Sequence, residues 1–221
     1  MADRLLFTKT GRARYISHLD LMRTFQRAFA RAGIPIKHTE GFNPHPFVSI
    51  ALPLSVGFSS QCEILEFGLL DGTGREEVPD RLTAAMPEGV IVHRCYPAER
   101  KLNELRYVNY IMTFEYPEGC PQEAESALAA LLSRESLVVR KKSNKAKAGF
   151  TEVDIIPNIS SWSIKCQRGA MVADLVTSAQ NPGLNPELIR TAFCAEHPEY
   201  TPDLVTFHRR EVLDGEGRPF R

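Results

Sequence analysis

The chain has 221 residues, 43% of them hydrophobic and 24% charged, and its 27 Lys and Arg residues balance its 27 Asp and Glu residues. This is the composition of an ordinary globular protein. No apolar run approaches the roughly 20 residues of a membrane-spanning helix, and the N-terminal MADRLLFTKTG lacks the apolar core of a signal peptide. The sequence therefore excludes an integral membrane protein and predicts a cytoplasmic one.

The cysteines are odd in number and far apart in the sequence. They are Cys62, Cys95, Cys120, Cys166 and Cys194. No two have the CxxC spacing of zinc or iron–sulfur sites, and a scattered, odd set argues against a disulfide framework. We therefore expect most of the cysteines to be buried and unpaired, and we expect no metal site and no cofactor.

The first half of the chain predicts two helices and four strands. In chain order these are a strand at Arg4–Lys9, a helix from Ser17 to Gly33, strands at Phe47–Leu54 and Cys62–Leu70, a helix at Glu76–Ala85 and a strand at Val90–Tyr96. Ser17 and Asp20 resemble a capping box, and Gly33 is placed to end the helix. Leu19, Met22, Phe25 and Phe29 recur at helical spacing, which predicts an amphipathic helix.

The second half repeats this order of elements without repeating the sequence. The predicted elements are a strand at Tyr107–Tyr116, a helix at Pro121–Leu132, a strand at Ser136–Lys142, an extended or irregular element at Phe150–Ile159, a hairpin of Trp162–Gln167 and Met171–Thr177 around Arg168-Gly169, a helix at Pro186–Glu196 and a strand at Leu204–Leu213. Each half therefore reads β-α-β-β-α-β. This order predicts an α+β protein made of two tandem ferredoxin-like domains, residues 1–102 and 103–221, joined through the charged segment Arg100–Arg106.

The first helix carries a row of arginines, Arg23, Arg27 and Arg31, at i, i+4 and i+8. They share one helix face, and guanidinium groups bind phosphates bidentately. Further basic side chains flank the helix in sequence, namely Arg12, Arg14, Lys37 and His38. The row indicates a phosphate-binding ridge, and the alternative is an ordinary solvated helix face.

The segment Gly41–Pro46 contains two prolines and a glycine, which restrict its backbone. It presents Phe42, Asn43 and His45. Aromatic side chains among basic ones are typical of RNA or single-strand binding, in which bases stack and phosphates pair. The alternative is a structural loop in which Phe42 fills the core and Asn43 caps a turn.

A second basic run has no apolar periodicity, and it predicts a loop that binds phosphate groups without recognising the base sequence. Its members are Arg140, Lys141, Lys142, Lys145 and Lys147. The alternative is a solubilising hairpin tip.

Tyr15, His18, His38 and His45 could supply acid–base chemistry. Two imidazoles that meet in space can cleave RNA without a metal, and they could equally offer metal ligands. Surface or capping roles are the simpler alternative. The spacings HxxxH and HExxH are absent, as are the Walker, GxGxxG and GxSxG motifs, so no established catalytic motif is present.

Four strings in this order resemble the radical-SAM-linked domain family of unknown function. They are YISHLDLMR at Tyr15–Arg23, EGFNPHP at Glu40–Pro46, ALPLSVG at Ala51–Gly57 and EVDI at Glu152–Ile155. The resemblance implies an accessory role beside a radical SAM protein, with contact to RNA. The chain lacks a cluster motif, so the radical SAM chemistry would belong to the partner.

A weaker likeness is to the CRISPR repeat-processing endoribonucleases, which also pair ferredoxin-like domains. Their glycine-rich loop near the C-terminus is missing from DLVTFHRREVLDGEGRPFR, so the likeness is one of architecture alone.

The leading hypothesis is a non-catalytic adaptor that binds RNA or a ribosomal surface through its basic face and presents it to a radical SAM enzyme. One alternative is a metal-independent endoribonuclease that uses the histidines and Tyr15. The other is a protein-interaction module, which predicts an exposed apolar patch of several hundred Å².

Overall fold

A computed structural model describes residues 2–70, 72–142, 149–167 and 169–221, apart from the side chain of Lys142. Lys145, Lys147 and Arg168 lie outside the described residues. The chain is a mixed α+β protein, which confirms the predicted class. Its elements are β1 Asp3–Lys9, α1 His18–Arg31, β2 Val48–Ile50, β3 Ser59–Phe67, α2 Val78–Ala85, β4 Val90–Pro97, β5 Tyr107–Glu115, α3 Gln122–Leu132, β6 Val138–Lys142, β7 Phe150–Asp154, β8 Ile159–Gln167, β9 Ala170–Ser178, α4 Glu187–Glu196 and β10 Leu204–Leu213.

The chain divides into two compact units. The first contains the residues up to Glu104 together with Arg209–Glu211 and Pro219–Arg221, and the second contains Leu105–His208 and Val212–Arg218. Strand β10 thus contributes residues to both units. The division into domains of residues 1–102 and 103–221 stays a prediction.

In the first unit, the sheet is antiparallel with the strand order β4-β1-β3-β2. Apolar side chains of β1 and β3 meet α1 on one face. The rings of Phe7 and Phe25 pack edge to face with centroids 4.8 Å apart, and those of Phe29 and Phe67 are 4.9 Å apart. All four side chains are buried, so this cluster is the core that fixes the position of α1.

Helix α1 begins and ends where local chemistry predicts. The backbone N–H of Asp20 donates to Ser17 Oγ at 3.2 Å, and Gly33 follows the helix with φ +62°, a left-handed conformation that favours glycine. The predicted apolar stripe is correct for Phe25 and Phe29 but not for Leu19, whose side chain is 63% exposed. The first turn of α1 therefore presents an apolar side chain to solvent.

Strand β2 is shorter than predicted, and β3 starts earlier. Pairing of β2 stops at Ile50, and the chain then bends through Ala51–Gly57. Pro53 has no N–H to donate to a ladder, and Gly57 has φ +89°. The apolar run Phe47–Leu54, which predicts a single strand, therefore contains a short strand followed by a loop.

In the second unit, the strand order is β10-β5-β9-β8, with β5–β9 and β9–β8 antiparallel. Strands β6 and β7 form a separate two-stranded sheet. The segment predicted as extended or irregular splits into β7 and a 3-10 turn at Ile156–Asn158. Asp154 fixes that turn by accepting from the backbone N–H groups of Leu137 and Ile156 at 2.9 and 3.2 Å.

The expectation of unpaired cysteines is wrong at one pair. A disulfide joins Cys120, which precedes α3, to Cys166 on β8, with Cα atoms 6.3 Å apart. Their sequence separation of 46 hid this proximity from arguments based on spacing. Cys62, Cys95 and Cys194 are free thiols.

None of the described helices is both long enough and apolar enough to cross a membrane.

Candidate nucleic-acid interface

Residues Lys37–Phe47 form a hairpin arm that follows α1. Phe47 N–H donates to the Lys37 carbonyl and Thr39 N–H donates to the His45 carbonyl, both at 2.8 Å. His38 and Pro46 form an antiparallel bridge between these two bonds. The segment predicted as a stiff loop is therefore the tip of this paired arm.

The tip exposes Phe42 completely. The alternative in which Phe42 fills the core is therefore wrong. Asn43 is also exposed, and it contributes its backbone carbonyl, which lies 3.2 Å from His45 Nδ1. Gly41 has φ +117°, a conformation that only glycine adopts without strain, and it turns the chain towards Phe42.

The arm is attached to the body of the first unit at two places. Gln26 Nε2 of α1 donates to the Pro46 carbonyl at 3.0 Å, and Lys37 N–H donates to the Gly68 carbonyl at 2.8 Å. The aliphatic part of Lys37 covers Gly68 so closely that a Cβ there would lie 2.7 Å from Lys37 Cδ. These contacts hold the base of the arm against α1 and against the residue that follows β3.

The three arginines of α1 have different environments. Arg23 is 65% exposed and contacts Asp20 at 3.3 Å, an ion pair that contributes little at the surface. Arg27 is exposed and makes no hydrogen bond with any residue that the structure describes. These two guanidinium groups remain available to a ligand.

Arg31 instead joins two helices. Its Nη2 donates to the Ala85 carbonyl at the C-terminal end of α2. In return, Arg81 Nη2 of α2 donates to the carbonyls of Ala32 and Gly33 at 2.8 and 3.1 Å, beyond the end of α1. Each arginine thus satisfies the terminal carbonyls of the other helix, where a cation is favoured. The predicted ridge therefore reduces to Arg23 and Arg27.

We expect Arg31→Ala to lower the free energy of unfolding by about 1 kcal/mol, because the α2 carbonyls lose a charged donor. Arg27→Ala is the matched control on the same helix and should change it by less than about 0.5 kcal/mol. Urea titration of both variants measures the difference. Equal stabilities would contradict the capping role of Arg31.

The 3-10 turn Gly11–Tyr15 lies beside the loop Ala51–Gly57, because Gly57 N–H donates to the Arg14 carbonyl at 2.9 Å. Arg14 lies over the exposed Tyr15 ring at 4.8 Å and donates to the Tyr15 hydroxyl. Arg12 is exposed. Three of the strings that carry the family resemblance therefore come together around α1.

The histidines lie at two places in the first unit. His18 is half-buried at the start of α1, whereas His38 and His45 are exposed on the arm. His45 Nδ1 contacts the Asn43 carbonyl and Thr39 Oγ1. Within the described residues no hydrogen bond joins two of these histidines, and Tyr15 is bound to Arg14.

In the second basic run, Arg140 and Lys141 are exposed on β6. Arg140 contacts Glu152 at 3.6 Å and lies over the Phe150 ring at 4.7 Å. The Lys142 side chain, Lys145 and Lys147 lie outside the described residues.

A buried ionic cluster beneath the loop Ala51–Gly57 was not predicted. Arg209 of β10 donates to Glu63 at 2.9 Å and to the carbonyls of Leu52 and Pro53 at 3.0 and 3.2 Å. Lys9 Nζ donates to the Arg14 carbonyl at 3.1 Å, and burial lowers its pKa. The cluster fixes both the loop and the 3-10 turn. Charged residues inside otherwise apolar strands were the signal in the sequence.

The surroundings of the Cys62 thiol do not favour covalent chemistry. Burial raises the pKa of the Cys62 thiol to about 12, so Cys62 is neutral at pH 7 and is a poor nucleophile. No group of three or more His, Cys, Asp or Glu side chains is placed to hold a metal ion within the part of the chain that is described.

The sequence profile of a family described as "Uncharacterized protein conserved in bacteria (DUF2344)" matches residues 4–186. The chain belongs to this family. No curated protein matches it. The match to DUF2344 therefore identifies the family without assigning an activity.

Among solved structures, a chain of "Crystal Structure of a Cbf5-Nop10-Gar1 Complex" is similar in fold, with a TM-score of 0.52 and 7% identity. The alignment covers 95% of this chain and 48% of that one, so this DUF2344 chain spans about half of its length. "Crystal Structure of an Unknown Protein from Galdieria sulphuraria" aligns with a TM-score of 0.28 and 12% identity over 94% of this chain and 97% of that one.

Proposed function

We propose that this DUF2344 protein is a non-catalytic, cytoplasmic accessory protein that binds RNA or a ribosomal surface and presents it to a radical SAM enzyme. One observation carries the RNA part. A paired arm with an exposed aromatic tip is attached to α1 at Gln26, between the exposed Arg23 and Arg27 in sequence. An exposed aromatic ring on an arm that docks near exposed guanidinium groups suits a ligand with both bases and phosphates.

The charge of this region supports the proposal. Arg4 and Lys9 are buried, but further cations remain on the surface of residues 10–47. The exposed or half-exposed set is Arg12, Arg14, Arg23, Arg27, Arg31 and Lys37, against Asp20 and Glu40. Such an excess attracts a polyanion and speeds its association.

The partner and the finer fold rest on other grounds. The radical SAM enzyme comes from the resemblance of the motif strings. The two units share one strand order in the large sheet. It is β4-β1-β3-β2 in the first unit and β10-β5-β9-β8 in the second, which in chain order is last, first, third, second. This order supports two tandem ferredoxin-like domains, in which both units would be scaffolds and the surface would determine function.

Filter binding to a structured RNA at several salt concentrations tests the RNA part. Affinity should fall steeply with salt because bound cations release counterions. The double variant Arg23→Ala/Arg27→Ala should reduce the slope of log K against log salt by about 1.4 if both contact phosphates of a single strand. Lys165→Ala, which removes an exposed charge from β8, is the control. Absent binding, or binding that ignores salt, would refute the RNA function.

A protein-interaction role is favoured by a different surface. Tyr15, Leu19 and Val56 are exposed by 59%, 63% and 56%, and the Gly57–Arg14 bond brings Val56 towards Tyr15. Exposed apolar side chains of this kind suit contact with the partner enzyme. If so, Leu19→Ser should reduce capture by the radical SAM protein and leave RNA affinity unchanged. If Leu19→Ser instead lowers RNA affinity and leaves capture unchanged, this apolar surface does not contact the partner enzyme.

A further inference from the structure

We infer that the tip of the hairpin arm binds an unpaired nucleotide of RNA, with the base stacked on the Phe42 ring. This inference rests on the proposed RNA binding and names the kind of RNA that the site takes. All residues of the inferred site belong to the first unit.

Exposure of Phe42 is the first argument. Its side chain is fully exposed, so it contributes no packing to the fold, although burial of a phenylalanine stabilises a protein by about 1.5–3 kcal/mol. Other phenylalanines of this unit, such as Phe7, Phe25, Phe29 and Phe67, are buried. The ring at the tip is therefore available to a ligand.

The arm is ordered before any ligand arrives. Two backbone hydrogen bonds pair its sides, Gln26 fixes Pro46, and Pro44 and Pro46 restrict the backbone on one side of the ring. Little conformational entropy remains to be lost when a base stacks on a side chain displayed in this way.

The polar groups beside the ring suit the edge of a base. With a proton on Nδ1, His45 can donate to the Asn43 carbonyl at 3.2 Å, because a carbonyl can only accept. In that neutral tautomer His45 Nε2 is an acceptor, and it has no partner among the described residues. An amide and an oriented imidazole can bind the Watson–Crick edge that only an unpaired base exposes.

The arginines of α1 are close enough to bind the same strand. Phe42 and Pro46 are four residues apart, so their Cα atoms are separated by at most about 14 Å. Pro46 contacts Gln26, which Arg23 precedes by one helical turn and Arg27 follows. A base on Phe42 and neighbouring phosphates at Arg23 or Arg27 are therefore compatible with one short single strand. A continuous duplex keeps its bases stacked inside and cannot use the ring.

The test uses a short RNA with 2-aminopurine, both as a single strand and annealed to its complement, and measures affinity and fluorescence quenching. Wild type should prefer the single strand and quench the probe. Phe42→Ala should weaken single-strand binding about 5- to 150-fold, the factor expected for one stacked base, and abolish quenching. Phe42→Trp should retain both properties, and Phe150→Ala is the control for loss of an exposed ring on β7.

Single-strand affinity of Phe42→Ala within twofold of wild type, or equal affinity for the duplex, would overturn the inference. Salt-dependent RNA binding by wild type would then leave the proposed function standing, whereas absence of all RNA binding would refute both. If Phe42→Ala loses only the capture of a protein partner, the tip is a protein anchor and the inference is wrong.

Discussion

Glu63→Gln should lower the free energy of unfolding by about 3–5 kcal/mol, the usual effect of breaking a buried ion pair by removing one partner. Glu63 is 2% exposed and its carboxylate lies 2.9 Å from Arg209, which is 4% exposed. Buried Lys9 is the other nearby cation, since the Glu63 charge opposes the desolvation that lowers its pKa. Without the carboxylate, both buried cations lose the counter-charge that Glu63 supplies.

Guanidinium chloride titration of Glu63→Gln beside Glu152→Gln measures this effect. Glu152 belongs to an ion pair with both side chains at least 60% exposed, so its loss should change stability by less than about 1 kcal/mol. Similar values for the two variants would show that Glu63 does not compensate buried charge. A Glu63→Leu/Arg209→Met double variant should recover part of the loss, because it removes both charges of the pair.

Phe220→Ala should lower the free energy of unfolding by about 3–5 kcal/mol. The ring is completely buried in the first unit, and its centroid lies 5.1 Å from the guanidinium carbon of Arg4 and 4.9 Å from that of Arg100. Removing the ring leaves a cavity, and it also removes two cation–π contacts. Arg221 binds Glu211 through both its Nη atoms at 2.8 Å and holds the segment in place.

Phe42→Ala is the matched control, since it is the same change at a fully exposed position and should alter stability by less than about 0.5 kcal/mol. Thermal and denaturant unfolding of the two variants should therefore differ clearly. If Phe220→Ala costs no more than Phe42→Ala, the ring is not part of the packed structure in solution.

Local chemistry in the sequence determined the order of elements and many of their ends. Ser17 and Gly33 mark the ends of α1 because an N-cap oxygen and a left-handed glycine act on residues at most a few positions away. The α+β class follows from the order in which apolar residues at helical spacing and at strand spacing succeed one another along the chain. The stiffness of Gly41–Pro46 was predictable for the same reason, because proline restricts its own backbone wherever it lies.

Only the tertiary structure decided which polar and aromatic side chains remain available to a ligand. Arg27 and Arg31 look equivalent in sequence, yet Arg31 caps a helix that begins 47 residues later. Phe42 could have filled the core, and its exposure depends on how the arm pairs and docks at Gln26. Glu63 and Arg209 lie 146 residues apart, and so no local pattern could show that they meet. Burial and charge pairing depend on residues that are distant in sequence and meet in the fold, whereas helix caps and apolar periodicity depend on residues that are close in sequence.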